Sequence, residues 1–453
     1  MRLNTSTFQT KCGHLWIAVD KEKWTYYFIR AVTFPFSLMP YSWLHKIGRW
    51  LGSIAYHFMT DYRKRTLSNL ALANDLDLTP SQLIRIAKRS FQNLAINCLE
   101  YPKFAREKDF SRVIQCENPE VADEIYKQNK GIIFFCGHQS NWEVLFLDGT
   151  TRMKGIAIGK SIKNKRLYHW ILSIREKNGG KIVAPRNAVK EGLRALKNGS
   201  FIGIVGDQGM PDSGYSFPFL GRRAWTSTAP ALLAYKTNCP IVFASTHRVQ
   251  GRYKIRYFDP IWPDHSQPVE KDVVRMMDKA LTLLQESIKH SPGEWLWQHN
   301  RWKQQTTHNL YKRFRHDCIC VIMPDEGFLD LNQHLKTLKE IYPLVFLILF
   351  IPNRFRHVPL IDADETIYYK TLDQTLINDL RFKLVFNFTD YKPIHAHYER
   401  LSAFEVVHIA KLKELAAEHL QPQHDFSDIL KRALCRPGSI WQKEEHASDT
   451  LLH

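Results

Sequence analysis

His138 and Glu143 are the two side chains whose types and spacing suggest chemistry in this sequence. They lie in residues 131–149, GIIFFCGHQSNWEVLFLDG. On one regular helix, residues five apart sit about 140° apart around the axis, so the pair would not meet there. They meet if His138 occupies a loop and Glu143 the first turn of the helix that follows. Glu143 would then accept from one imidazole nitrogen and fix the tautomer, while the other nitrogen faces a substrate as general base. No Ser or Cys nucleophile is needed when the acceptor is itself a hydroxyl. Ser140-Asn141-Trp142-Glu143 is also a capping box, S-x-x-E, and capping alone would account for Glu143.

The surrounding pattern supplies the elements that would position this pair. The apolar run Ile132–Cys136 reads as a buried strand that empties into Gly137-His138-Gln139-Ser140-Asn141, with a helical pattern from Trp142. Residues 79–104 read as a helix with Pro80 at its first position, and its apolar stripe is assigned to packing. Downstream, residues 155–158, 181–184, 201–205, 241–246 and 253–258 read as strands. Residues 166–177, 188–197 and 229–235 read as helices, the first closed by Asn178-Gly179-Gly180. Residues 217–226 read as a loop. Strands alternating with helices predict an α/β fold with a mainly parallel central sheet flanked by helices.

Composition narrows the partners. The chain has 453 residues and a formal charge of +18, from 63 Lys and Arg against 45 Asp and Glu. That balance suits an anionic partner, whether nucleic acid, anionic lipid or an acidic protein, and is also compatible with an ordinary solubility charge. No RNA-binding motif is found, so nucleic acid is not expected. The eight Cys include no CxxC and no zinc-like pairing with His, which predicts a reducing, cytosolic environment and no metal site. Residues 1–20 lack the apolar core and cleavage site of a signal peptide. Residues 24–60 are rich in aromatics, hold Pro35 and Pro40, and are interrupted by Arg30, Lys46 and Arg49. They read as an interfacial or partly inserted helix pair, with a single span over residues 26–43 and a buried helical hairpin as alternatives.

Several blocks, taken in order, resemble the bacterial lipid A late acyltransferases, the lauroyl and myristoyl transferases. Arg65 with Asn69-Leu70 fits an Arg…Asn-Leu signature. His138 with Asn141-Trp142-Glu143 fits H-x-G-N-W-E, with Ser140 where Gly is usual. Arg175-Glu176-Lys177 with Gly179 fits R-x-x-x-G, and Leu196-Lys197-Asn198-Gly199 followed by Asp207-Gln208 fits L-K-x-G…D-Q. Phe219-Leu220-Gly221 with Ala224 and Thr226 fits F-x-G-x-x-A-x-T. Residues 294–303, EWLWQHNRWK, fit the terminal W-x-W-x-H-x-R-(F/W)-K block, with Asn300 where a basic residue often stands. The resemblance covers residues 20–305.

The resemblance implies transfer of a fatty acyl chain from acyl carrier protein to a hydroxyl of Kdo-lipid IVA. It implies no cofactor beyond that acyl-carrier co-substrate. His138 would be the general base and Glu143 its orienting acid. Asn141, Arg175, Arg186, Asp207, Gln208, Gly221 and Thr226 are the candidate substrate-binding positions. Backbone N–H groups near Asn141, or the Arg175 guanidinium, would stabilise the oxyanion. Arg186 would bind a phosphate or carboxylate, with Asp207 fixing Arg175 or Arg186. Residues 160–166 and Arg222-Arg223 would receive the acidic carrier or the anionic glycolipid. Trp295, Trp297 and Trp302 suit either a membrane interface or core packing. The implied partners are acyl carrier protein, the glycolipid substrate and a membrane surface, at the cytosolic face of an inner membrane. Two alternatives stand beside this reading: an acyltransferase acting on a phospholipid or other glycolipid, and a non-enzymatic basic membrane-associated protein.

The expected divisions are an N-terminal helical region over residues 1–115, an acyltransferase core over 116–305, and an extension over 316–453. In the extension, residues 318–323, 344–351 and 383–387 read as strands and residues 329–341 and 403–419 as helices. That is a Rossmann-like half domain, weakly similar to the N-terminal half of heptosyltransferases through Glu326-Gly327-Phe328-Leu329, Leu335, Leu338 and Tyr342-Pro343. It is read as non-catalytic. The polar tail after Pro437 is expected to be mobile.

Overall fold

The structure is a computed structural model that describes residues 20–210, 214–303, 310–417 and 425–437. The signal-peptide reading of residues 1–20 and the reading of the tail after Pro437 therefore fall almost entirely outside the described residues. In chain order, helices α1 (Lys21–Leu38), α2 (Tyr41–Phe58) and α3 (Thr60–Leu72) lead to the long α4 (Pro80–Arg106). Then come β1 (Ile114–Cys116), α5 (Glu120–Lys127), β2 (Ile132–Cys136), α6 (Glu143–Arg152) and β3 (Gly155–Ile158). Next are α7 (Lys165–Arg175), β4 (Lys181–Val183), α8 (Ala188–Lys197) and β5 (Phe201–Val205). A hairpin, β6 (Gly214–Phe219) and β7 (Arg222–Ser227), precedes α9 (Ala229–Thr237), β8 (Ile241–Val249), β9 (Arg252–Tyr257) and α10 (Val269–His290). The C-terminal region holds β10 (Cys318–Ile322), α11 (Phe328–Asn332), α12 (Leu335–Ile341), β11 (Phe346–Pro352), β12 (Glu365–Tyr369) and β13 (Leu384–Asn387). It ends with α13 (Pro393–Leu401), β14 (Glu405–His408), α14 (Ile409–Ala416) and α15 (Phe426–Leu434).

Two compact units divide the chain. The first comprises residues 1–54, 89–206 and 229–296 and contains a seven-stranded sheet in the order β1-β9-β8-β2-β5-β3-β4. All neighbouring pairs are parallel except β8 with β9. Every residue of β2 is buried, as a strand with parallel neighbours and covered faces requires. Phe134 stacks on Tyr257 at 5.1 Å and meets Phe201 edge-on at 5.3 Å, in the cluster that joins the sheet to its helices. An aromatic in that position contributes about 3 kcal/mol by burial alone. Helices α4, α7 and α8 and six of the seven strands fall where their periodicity placed them; the three-residue β1 was not among the expected strands.

The N-terminal pair is helical as expected, but Pro35 sits inside α1; the break comes at Met39-Pro40, just before α2. Among the described residues no helix is long and apolar enough to cross a membrane, which removes the single span over residues 26–43.

The second unit comprises residues 55–88, 207–228 and 297–453. Its five-stranded sheet is wholly parallel, in the order β12-β11-β10-β13-β14, over its own apolar core. This is a complete doubly wound sheet, larger than the expected half domain. The helix expected over residues 403–419 begins instead with β14, because Val406 and Val407 are buried beside β13; α14 follows at Ile409. The expected loop over residues 217–226 is mostly β-hairpin. Phe217, Phe219, Ala224 and Thr226 alternate inward, and Leu220 and Gly221 turn the chain at φ +50° and +83°, as a two-residue turn needs. Residues 55–88, 207–228 and 297–303 also belong to this unit. A buried cluster explains part of that grouping. Lys383 Nζ lies 2.6 Å from Asp317 Oδ1, 2.8 Å from Asn69 Oδ1 and 3.0 Å from Asn300 Oδ1.

Candidate active site

The site is built on the loop that leaves the carboxyl end of β2. Gly206 N donates to Cys136 O, holding the end of β2 against the end of β5. His138 follows at once, half-buried, with its ring edge-on to Trp142 at 4.7 Å. Leu296 N donates to His138 O at 2.9 Å and Ser140 N to Glu294 O at 2.8 Å, so the Trp295 segment lies along the loop. Gln139 completes that attachment through a bridge to Trp295, and its Nε2 donates to Ser287 O at 2.9 Å. Trp295, Trp297 and Trp302 are all fully buried, which decides for core packing over a membrane interface.

Helix α4 supplies the floor. Asn93 and Asn97 both donate to Ser140 O, at 3.1 and 2.5 Å. Glu100 Oε2 accepts from Asn141 Nδ2 at 2.7 Å and from the Tyr253 hydroxyl at 2.5 Å, and His45 Nε2 lies 2.6 Å from Oε1. Arg248 closes the network, donating to Asn93 Oδ1 at 2.5 Å, to Asn97 Oδ1 at 2.7 Å and to Tyr253. Burial alone would push the Glu100 carboxyl up. Arg248, His45 and Tyr253 together overcome that and hold it below its ordinary value. Burial also favours a neutral Arg248, and Tyr253 and Glu100 outweigh it. These residues occupy i, i+4 and i+7 positions on α4 (Asn93, Asn97, Glu100), one helical face that a count of its polar residues reveals. Assigning the helix to packing missed them.

Glu143 opens α6. Its Oε2 accepts from Arg175 Nε at 2.9 Å, and its Oε1 accepts from Arg175 Nη2 at 2.5 Å and from the Tyr101 hydroxyl at 2.6 Å. Burial and the neighbouring Glu143 charge both raise the Tyr101 phenol, so it stays a donor. Burial works against the Arg175 charge, but Glu143 more than offsets it and the guanidinium stays protonated. Arg175 is therefore the partner of Glu143.

The capping box does not form. Trp142 is the N-cap and makes no side-chain cap bond, and the buried Ser140 hydroxyl has no hydrogen-bond partner. Ser140 is in the left-handed region at φ +49°, a conformation that costs a non-glycine residue about 1–2 kcal/mol. Glycine is the natural occupant, which explains why the related motif carries it. Asn141 does the local work instead: its Oδ1 accepts from Glu143 N at 3.3 Å.

The structure thus brings His138, Asn141, Glu143 and Arg175 together in one unit. Asn141 is buried and holds the loop to Glu100 and to the start of α6. Arg186 is exposed in the turn after β4, three strands from β2, about 14 Å at the usual spacing. Asp207, Gln208, Gly221 and Thr226 belong to the second unit. There Arg301 is fully buried. Its Nη1 donates to Trp225 O at 3.0 Å and its Nη2 to Thr226 Oγ1 at 2.7 Å, and it lies over the Phe219 ring. Burial lowers the Arg301 guanidinium to about 10 against the opposing charge of Asp207. Thr226 and Asp207 thus anchor Arg301, and Gly221 serves the hairpin turn. Arg222 also turns inward, donating to Leu72 O and packing on Phe346 at 3.4 Å.

A half-buried histidine thus follows the carboxyl end of a central parallel strand, and a buried acid five residues on opens the next helix. The chain belongs to the family described as bacterial lipid A biosynthesis acyltransferase, whose profile matches residues 13–304. That match spans more than half of the chain and implies acyltransferase activity. No curated protein sequence matches the chain.

Proposed function

We propose that the protein transfers a fatty acyl chain from acyl carrier protein to a hydroxyl of Kdo-lipid IVA, with His138 as general base. The observation that carries this reading is the loop that holds His138 and, within five residues, the buried Glu143 clamped by Arg175 and Tyr101. His138 takes the proton of the acceptor hydroxyl as its oxygen bonds to the thioester carbon. Glu143 stabilises the imidazolium that forms, and backbone N–H groups near Asn141 receive the oxyanion. The C–S bond then breaks, and the carrier thiolate takes the proton back from His138. General-base assistance of this kind is worth roughly 10²–10⁴-fold.

Membrane attachment at the cytosolic face of an inner membrane is part of the proposal. It is supported by exposed Trp24, Phe28, Trp43 and Trp50 on α1 and α2, interleaved with basic residues. The exposed basic residues among 160–166 support docking of the acidic carrier.

The test offers purified protein a labelled acyl-carrier thioester with either Kdo-lipid IVA or a glycerolipid. Transfer to the former is expected; transfer only to the glycerolipid overturns the acceptor. Retention in the membrane pellet after a salt wash is expected of the interfacial helices, and a protein found wholly in the supernatant before any wash contradicts attachment.

A further inference from the structure

The acyl-transfer reading leaves the second parallel sheet without a role, yet that sheet carries a cavity of about 660 Å³ at the carboxyl ends of β13 and β14. Ligands of doubly wound sheets bind beyond the carboxyl ends of the strands, chiefly where the strand order reverses, here between β10 and β13; this cavity lies one strand further on, and its volume suits a small molecule. One wall is the loop from β13 and the start of α13, with Asp390 and Lys392 on the loop and His395 on the helix; the other is the β14–α14 junction, with His408, Lys411 and Glu414. The first wall is pre-formed. Buried Asn387 accepts from Thr389 N at 3.0 Å and Thr389 Oγ1 at 2.7 Å, and Tyr391 N donates to Thr389 Oγ1. The second wall presents the start of α14. His408 makes no cap bond there, and Ile409, Ala410 and Lys411, whose N–H groups have no partner within the helix, all line the cavity. The His395 and His408 rings stack across the gap with nitrogens 3.3 Å apart.

We propose that this cavity binds the phosphate and hydroxyl groups of a phosphorylated sugar, either a sugar phosphate or the ribose diphosphate of a nucleotide. Lys392, Lys411, the helix start and the imidazoles suit the phosphate. Lys411 now pairs with Glu414 at 2.7 Å; turning it to a phosphate frees Glu414, with Asp390, to accept from sugar hydroxyls. The charged groups around the imidazoles are Asp390 and Lys392 on the loop, Glu399 on α13 at 3.4 Å from His395, and Lys411 and Glu414 on α14. Burial and the neighbouring His395 lower the His408 imidazole, with Asp390 opposing, so its surroundings favour the neutral ring. A phosphate beside it favours the protonated ring, so binding tightens as the pH falls.

The test is calorimetric titration of the full chain with inorganic phosphate, glucose 6-phosphate, adenosine diphosphate and uridine diphosphate, at about pH 6 and about pH 8. One site is expected, tighter at the lower pH for glucose 6-phosphate or for a diphosphate; which of these binds tells the two sources apart. Lys392→Met and Lys411→Met should each weaken binding roughly tenfold, Lys411→Arg should keep it, and His408→Asn should flatten the pH dependence. Melting temperatures and acyl transfer should be unchanged in all four. No binding by any probe, or binding that both methionine variants leave intact, overturns the proposal. Inorganic phosphate bound as tightly as the sugar-bearing probes overturns the sugar-phosphate assignment and leaves an adventitious ion only.

Discussion

His138 and His408 each leave the carboxyl end of a strand in a parallel sheet, but their surroundings are built differently. The His138 loop is held from several elements. Asn93, Asn97 and Glu100 reach it or its neighbours from α4, His45 supports Glu100 from α2, and Arg248 and Tyr253 complete the network from β8 and β9. The His408 junction is half-exposed, and its helix begins without a side-chain cap. The contrast fits the two uses proposed for one architecture. A proton-transfer site needs its base held to a fraction of an ångström, and buried charge secures that at a cost in desolvation. A site that only binds tolerates an open rim, because the ligand supplies the missing partners.

The comparison breaks most directly at Glu100. Glu100→Ala leaves Arg248 buried without its acid, and urea unfolding should show a loss of about 3–5 kcal/mol together with lost transfer. Lys411→Met at the other edge should stay within about 0.5 kcal/mol of the parent. If the two variants lose the same stability, the contrast is wrong. Arg175→Met comes next. It leaves Glu143 without its guanidinium, so thermal melts should fall by an amount equivalent to about 1–3 kcal/mol, and Arg175→Lys should restore only part because the forked contact is lost.

Acidification sharpens the same point. The Glu100 carboxyl is held below its ordinary 4.5, so its contribution stands in full above that value and disappears as the pH falls through the lower, folded value. The slope of unfolding free energy against pH below 4.5 should therefore be shallower in Glu100→Gln than in the parent, and equal slopes would remove Glu100 as the loop's charged anchor. The smallest effect runs the other way. Ser140→Gly relieves a left-handed residue and removes a hydroxyl without a partner, and should stabilise by about 1 kcal/mol in urea unfolding.

Much of this architecture can be read along the chain. Ile132–Cys136 has the composition of a strand buried on both faces, and Pro80 marks the start of α4. The local patterns that failed are informative. Residues 404–409, FEVVHI, suit a short buried strand or a helix equally well, and only the neighbouring β13 decides. Ser-x-x-Glu matches a capping box, but Asn93 and Asn97 hold Ser140 O from α4, and the serine takes a conformation that its type does not announce. Glu143 sits where it was expected, yet its clamp comes from Tyr101 and Arg175, which lie 42 and 32 positions away. Asn69, Asp317 and Lys383 meet only in the folded chain, so the membership of the second unit had no local signal.

The central claim concerns His138. His138→Ala keeps the backbone carbonyl that Leu296 N holds, so the loop should stay folded while the proposed base is lost. Single-turnover transfer from a labelled acyl-carrier thioester to Kdo-lipid IVA should then fall roughly 10²–10⁴-fold, with an unchanged melting temperature. Transfer at the parent rate by the folded variant would contradict the account.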